Sequence, residues 1–98
     1  MARQKLSDQD LQTALEQLPA WKIQNGKLHR EFNFPDFPHA IGFMTTAAVN
    51  IEKKNHHPEW SNVYNRVVVD LTTHDSGGIT QNDLDLARLL DSIAVKLA

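Results

Sequence analysis

Three histidines concentrate the possible chemistry of this chain in two short segments. His56 and His57 are consecutive, and His74 lies further along the chain. Histidine is the side chain whose ordinary pKa falls inside the physiological range, so its neutral and protonated forms exchange with little driving force. General acid–base catalysis requires that property. The three histidines are therefore candidates for proton transfer.

Residues around the histidine pair could orient and complement it. Glu52 precedes His56 by four residues, so the two side chains would be neighbours if a helix extends that far. A carboxylate at that position can orient an imidazole. Pro58 fixes φ directly after the pair and turns the chain. Trp60 and Tyr64 offer flat aromatic faces for packing or stacking.

Each of these residues also has a purely structural interpretation. Adjacent histidines at a helix end are often a polar capping pair, and Trp60 taken alone favours a core position. Asp83 follows Thr80 in a capping-box pattern, which indicates a helix-capping carboxylate. Metal binding by the histidines ranks low, because consecutive histidines rarely aim at one ion and cysteine is absent.

Length and composition exclude several classes of protein. The 98 residues, 41% of them apolar, predict one domain over residues 1–98. A net charge of −2 indicates neither a nucleic-acid partner nor a polybasic membrane patch. The chain shows no apolar run typical of a signal peptide or membrane span, so we expect a soluble cytoplasmic protein.

The first half of the chain predicts a helix, a hairpin and a second helix. Ser7 suits the cap of a helix that Pro19 should stop. Asn25-Gly26 is typical of a type I′ turn between two strands. Asp36 can cap the second helix, and Pro58 should end it near Asn55 or His56.

The second half predicts two strands and a long final helix. Residues 63–73 are rich in β-branched side chains and should pair with a short strand around residues 61–64. The last helix begins at Thr80 and carries an apolar stripe from Leu86 to Leu97. The predicted fold class is α+β, with a four-stranded antiparallel sheet and three helices packed on one face, in the order α-β-β-α-β-β-α. His74 could lie on the open face.

One set of spaced residues is similar to a known family signature. Glu52-x3-His56-His57-Pro58, followed by Tyr64, His74 and Asp83, resembles the signature of the pterin-4a-carbinolamine dehydratases. The resemblance covers roughly Leu6 to the C-terminus. It implies dehydration of 4a-hydroxytetrahydropterins to quinonoid dihydropterins, in support of tetrahydrobiopterin regeneration. It also implies no metal or cofactor, and assembly as a homodimer or homotetramer.

The resemblance also assigns roles to individual positions. His56 and His74 would be the acid–base pair, and His57 would bind and orient the pterin. The catalytic set is then His56, His57, His74 and Glu52; the substrate-binding set is His56, His57, Pro58, Trp60, Thr73, His74, Asp75 and Ser76; the supporting residues are Asp83 and Tyr64. Asn55 departs from the pattern, since some relatives carry an acid there.

Two alternative functions accompany this interpretation. Vertebrate relatives serve as dimerisation cofactors of a transcription factor, and the stripe from Leu86 to Leu97 could make such contacts. The alternative is that this stripe packs on the sheet or on a sister subunit. Other relatives are associated with molybdopterin metabolism, which the sequence does not separate from pterin regeneration.

Overall fold

A computed structural model describes residues 4–97 of the chain, so residues 1–3 and residue 98 lie outside the description. It confirms the α+β class and the predicted order of elements. The elements are α1 (Asp8–Leu15), β1 (Lys22–Gln24), β2 (Lys27–Asn33), α2 (Phe37–Lys54), β3 (Glu59–Val63), β4 (Arg66–Leu71), a 3₁₀ turn (His74–Ser76) and α3 (Gln81–Leu97). No helix within residues 4–97 is long and apolar enough to cross a membrane.

Four antiparallel strands form one sheet in the order β1-β2-β4-β3. The first hairpin turns at Asn25 and Gly26, whose φ angles of 54° and 75° are both positive, as a type I′ turn requires. β4 lies between β2 and β3, and it places Asp70 opposite His29 on one side and Glu59 on the other. Strands distant in sequence thereby bring polar side chains together on one face.

Alternation along the strands separates a buried face from an open face. Val67, Val69 and Leu71 of β4 are buried, as are Leu28 and Phe32 of β2. His29 and Glu31 of β2 and Asp70 of β4 point to the other face, whereas Arg30 shares the buried face of β2. The helices pack on the apolar face and complete the core, which confirms the predicted layering.

The predicted caps of the first two helices are confirmed. The Ser7 hydroxyl accepts a hydrogen bond from the Asp10 amide, and the Asp36 carboxylate accepts one from the His39 amide. The predicted end of α1 was wrong. The helix stops at Leu15, because 3₁₀-type bonds such as the one from the Leu18 amide to the Leu15 carbonyl replace the α-helical pattern.

α2 ends close to the predicted position, but the residue that terminates the helix is Asn55 and not Pro58. Asn55 adopts the left-handed conformation, with φ 51° and ψ 42°, and its amide bonds the Glu52 carbonyl. Asparagine is one of the few residues other than glycine that tolerates this conformation. The chain therefore leaves helical geometry before it reaches His56.

The apolar stripe of α3 belongs to the core. Leu86, Leu90 and Ile93 are buried against the sheet and α2, whereas Val95 on the outer side is 77% exposed. The suggestion that this stripe serves as a partner surface is therefore wrong for its central residues, and the packing interpretation is confirmed.

Truncation of this stripe should be far more costly than truncation beside it. We expect Leu90→Ala to lower the free energy of unfolding by about 2–5 kcal/mol, through lost burial and a residual cavity. Val95→Ala on the same helix should change it by less than about 0.5 kcal/mol. Urea unfolding of both variants measures the difference, and equal losses would show that α3 does not pack through this stripe.

Candidate active site

The two histidine segments meet at one end of the molecule. The end of α2 and the segment that follows β4 enclose an open pocket of about 260 Å³. Its lining consists of Asn55, His56, His57, Thr72, Thr73, His74 and Asp75. The volume lies near the lower end of the roughly 300–1,000 Å³ typical of ligand sites. The pocket therefore suits a small ligand held among polar groups.

His56 is the most enclosed of the three histidines. Its Nε2 lies 2.5 Å from Oδ1 of Asp83, and the two side chains are 15% and 0% exposed. Asp83 stands in the first turn of α3, on an element distant in sequence from α2. The contact fixes the His56 ring across the junction between the two helices.

The Asp83 carboxylate has a second set of partners. Its Oδ2 accepts hydrogen bonds of 2.9 Å from the Thr80 amide and from the Thr73 hydroxyl. The Thr80 hydroxyl lies 2.8 Å from that of Thr73 and accepts from the Asn82 amide. The capping-box interpretation of Asp83 is thus confirmed, and the same carboxylate also contacts His56.

The expected pairing of Glu52 with His56 was wrong. Glu52 Oε1 instead lies 3.1 Å from Nε2 of His57, because the left-handed residue Asn55 takes the following chain out of helical register. Both side chains are exposed, at 81% for Glu52 and 57% for His57. An exposed pair of this kind contributes little to stability but can bias the orientation of the ring.

His74 lines the pocket from the segment that follows β4, where it opens the 3₁₀ turn. Its Nε2 lies 3.3 Å from Oε2 of Glu59, the first residue of β3. The other oxygen of Glu59 accepts a 2.6 Å hydrogen bond from Nζ of Lys27. That bond holds the pKa of Glu59 below its ordinary value and raises the pKa of Lys27.

All three histidines share one arrangement. In each case Nε2 contacts a carboxylate, which comes from Asp83, Glu52 or Glu59. The contacts of His56 and His57 are hydrogen bonds, and since an ionised carboxylate only accepts, each calls for a proton on Nε2. The 3.3 Å ion-pair contact of His74 with Glu59 favours the same tautomer. Nδ1 is then the ring nitrogen left for a ligand: a base in the neutral imidazole and an acid in the cation. Among residues 4–97, no three His, Cys, Asp or Glu side chains are grouped as ligands of one ion.

The remaining predicted site residues divide between the pocket and other places. Thr73 and Asp75 line it, and Thr73 also pairs with Gly78 to close the 3₁₀ turn. Pro58, Trp60, Ser76 and Tyr64 do not line it. Trp60 packs against the core, while Tyr64 lies in the turn at the far end of β3, roughly 13 Å or more from Glu59 at 3.3 Å per residue.

One lining residue and two residues outside the lining were not identified from the sequence. Thr72 lines the pocket, Glu59 contacts His74, and Lys27 contacts Glu59. The position of Glu59 two residues after His57 was a possible signal. Lys27 gave none, because its contact depends on the order of strands across the sheet.

Two larger grooves lie around Arg30, at about 330 and 390 Å³. Arg30 is held within the fold: its Nη1 donates to Asp91 at 2.6 Å, and the Trp21 indole donates to the same carboxylate oxygen at 2.9 Å, while the buried Nε of Arg30 has no hydrogen-bond partner among the described residues. The guanidinium also stacks 4.1 Å from the centroid of the Phe32 ring. This ion pair ties β2 to α3, so its role is structural, and the histidine pocket is the stronger candidate.

Comparison with known proteins defines the class to which this fold and pocket belong. A family model described as pterin 4 alpha carbinolamine dehydratase matches residues 4–93. A protein of Solibacter usitatus named "Putative pterin-4-alpha-carbinolamine dehydratase" is 60% identical over 92% of this chain and 95% of its own. The chain therefore belongs to the pterin 4 alpha carbinolamine dehydratase family.

Solved structures agree with the fold. A structure described as a transcriptional coactivator/pterin dehydratase from Brucella melitensis is 43% identical and superposes with a TM-score of 0.88, over 92% of this chain and 98% of its own. A pterin dehydratase-like protein, identified as a RuBisCO assembly factor in the alpha-carboxysome, reaches a TM-score of 0.67 at 20% identity, over 76% of this chain and 89% of its own. The second likeness concerns the fold alone.

Removal of the Asp83 charge should disrupt the pocket and the start of α3 together. Asp83→Asn keeps the shape of the side chain but replaces one accepting oxygen with a donor, facing the donors of His56, Thr73 and Thr80. We expect a loss of about 1–3 kcal/mol in the free energy of unfolding. Asp85→Asn in the same turn is the control, because its half-exposed carboxylate makes only surface contacts, with the Gln81 amide at 2.9 Å and with Arg88 at 3.6 Å. Equal urea midpoints for the two variants would contradict the network.

Proposed function

We propose that the histidine pocket dehydrates a 4a-hydroxytetrahydropterin to the quinonoid dihydropterin and water, and thereby serves tetrahydropterin regeneration. The observation that supports this most directly is the convergence of His56, His57 and His74 on one pocket, each with Nε2 on a carboxylate. Membership of the dehydratase family supplies the substrate class.

The reaction needs two proton transfers and one bond cleavage. The bond between C4a and the hydroxyl oxygen breaks, a proton joins the departing hydroxyl, and water leaves. The lone pair of the adjacent ring nitrogen forms the new double bond to C4a, and that nitrogen then loses its own proton. One protonated and one neutral imidazole supply both transfers, each typically worth about 10²–10⁴-fold in rate.

The geometry supports different roles for the histidines. His56 and His74 lie on separate segments that both line the pocket, so they can address different parts of one flat ligand. Both would act through Nδ1, since Nε2 of each is taken by a carboxylate. His57 would bind and orient the pterin, with polar contacts from Thr73 and Asp75. Glu52 then supports His57 rather than His56.

Substitution of the proposed acid–base pair should abolish most of the rate enhancement. We expect His56→Ala and His74→Ala each to lower kcat by about 10²–10⁴-fold, measured by turnover of a chemically prepared 4a-hydroxytetrahydropterin. His39→Ala is the matched control, because His39 is a half-exposed histidine that contacts Asp36 at the start of α2. A wild-type rate equal to the spontaneous dehydration would refute the proposed function.

We also propose that the protein assembles with copies of itself through the outer face of α2. Phe37, Ile41 and Val49 follow helical spacing on that face and are 47%, 39% and 58% exposed. The sequence from Phe37 to Asn50 contains no Asp, Glu, Lys or Arg, so two copies of the face can meet without burying like charges.

A charge on this face should prevent the assembly. We expect Val49→Glu to reduce the sedimentation coefficient of the wild type to that of a monomer, while Val63→Glu, at an equally exposed valine on β3, leaves it unchanged. A wild type that sediments as a monomer at micromolar concentration would contradict the proposal.

A further inference from the structure

The carboxylate of Glu59 joins two neighbours that lie far apart in sequence. One oxygen accepts from Nζ of Lys27 at 2.6 Å, and the other lies 3.3 Å from Nε2 of His74. We propose that Glu59, held by Lys27, is a positioning residue that orients His74 for proton transfer. This inference rests on the proposed dehydratase function and deepens it.

His74 needs an external partner to hold a defined orientation. Its side chain is 77% exposed, compared with 15% for His56 and 57% for His57. Packing therefore does little to restrict its rotamers, and an unrestricted ring would lose conformational entropy when it aligns with a substrate. A fixed carboxylate at Nε2 reduces that loss and leaves Nδ1 as the ring nitrogen for the substrate.

Glu59 is suited to this task because its own position is fixed from two sides. The backbone of Glu59 pairs with Asp70 in the sheet. Its side chain is held by Lys27, which stands at the start of β2 and reaches across β4. Asp70 is itself engaged by Nδ1 of His29 at 2.8 Å, and its charge attraction to Lys27 is the smallest of the causes that raise the pKa of that lysine.

Charge strengthens this arrangement. The Lys27 contact is the largest cause of the lowered pKa of Glu59, and the neighbouring His74 lowers it further. Glu59 is therefore ionised throughout the range in which a histidine changes its protonation state. It accepts the Nε2 proton of both the neutral and the cationic ring, so His74 keeps one orientation through a catalytic cycle.

A double-mutant cycle between Glu59 and His74 tests the role. Glu59→Ala in the wild type should lower kcat on the order of 10-fold with a smaller change in KM, which is the scale at which an outer hydrogen-bond partner of a functional histidine acts. In a His74→Ala background the same change should cost less than about twofold. The assays use enough of each variant to keep the rate above the spontaneous one.

Glu31→Ala is the matched control. Glu31 lies on the same sheet, pairs with Arg66 at 3.2 Å, and its side chain is 43% exposed, as is that of Glu59. It should leave kcat unchanged in both backgrounds. Equal losses from Glu59→Ala with and without His74 would overturn the positioning role while leaving the dehydratase function intact. A wild type without dehydratase activity would overturn both.

A titration of the Glu59 carboxyl carbon by nuclear magnetic resonance reports the contacts without any assay of activity. The wild-type midpoint should lie below the ordinary 4.5, and it should move upward in Lys27→Met and, by a smaller amount, in His74→Ala. The stabilisation from Glu59 is then present above pH 4.5 and is lost as the pH falls through the folded-state pKa. An unchanged midpoint in His74→Ala would show that the two side chains do not interact, which overturns the inference.

Discussion

The buried carboxylate of Asp83 is the constraint on which the pocket depends. A buried carboxylate is costly unless its oxygens are satisfied, and here both are: one by His56, the other by Thr73 and Thr80. These partners belong to the end of α2, the segment after β4 and the start of α3. One side chain thus joins three parts of the chain, and it can do so only when all three have folded into place.

The pocket histidines lie at the ends of regular elements, and the core holds those ends in place. His56 follows the left-handed terminus at Asn55, and His74 opens a 3₁₀ turn that a bridge between Thr73 and Gly78 closes. Side chains at such positions can face a ligand without removing hydrogen bonds from a helix or strand. The sheet and α3 beneath them are closely packed around Phe43 and Leu90, so the separation of the two histidine segments is set by rigid elements.

Local physics explains why most of the fold could be predicted from the sequence. Ser7 and Asp36 cap helices through bonds to amides three residues away, and Asn25-Gly26 forms its turn from its own φ preferences. These signals lie within a few residues of the structure they determine. The adjacency of His56 and His57 is equally local, because consecutive residues remain neighbours in any fold.

The partners of the histidines could not be predicted in the same way. The left-handed conformation of Asn55 makes Glu52 contact His57 instead of His56. The four-residue spacing used for the prediction assumes a continuous helix, so it could not reveal this change. Lys27 meets Glu59 only because β4 inserts between their strands. Contacts of this kind depend on the order of the strands in the sheet. The alternation of apolar and polar residues along a strand does not determine that order.

The three carboxylates differ in exposure, and this difference determines how firmly each histidine ring is held. Asp83 is buried, the side chain of Glu59 is 43% exposed and that of Glu52 is 81% exposed. Electrostatic and hydrogen-bond contacts weaken as water and salt screen them. The ring of His56 is therefore fixed by folding itself, whereas His57 keeps freedom to adjust to a ligand. His74 lies between these limits, because Lys27 holds its carboxylate in place at the surface.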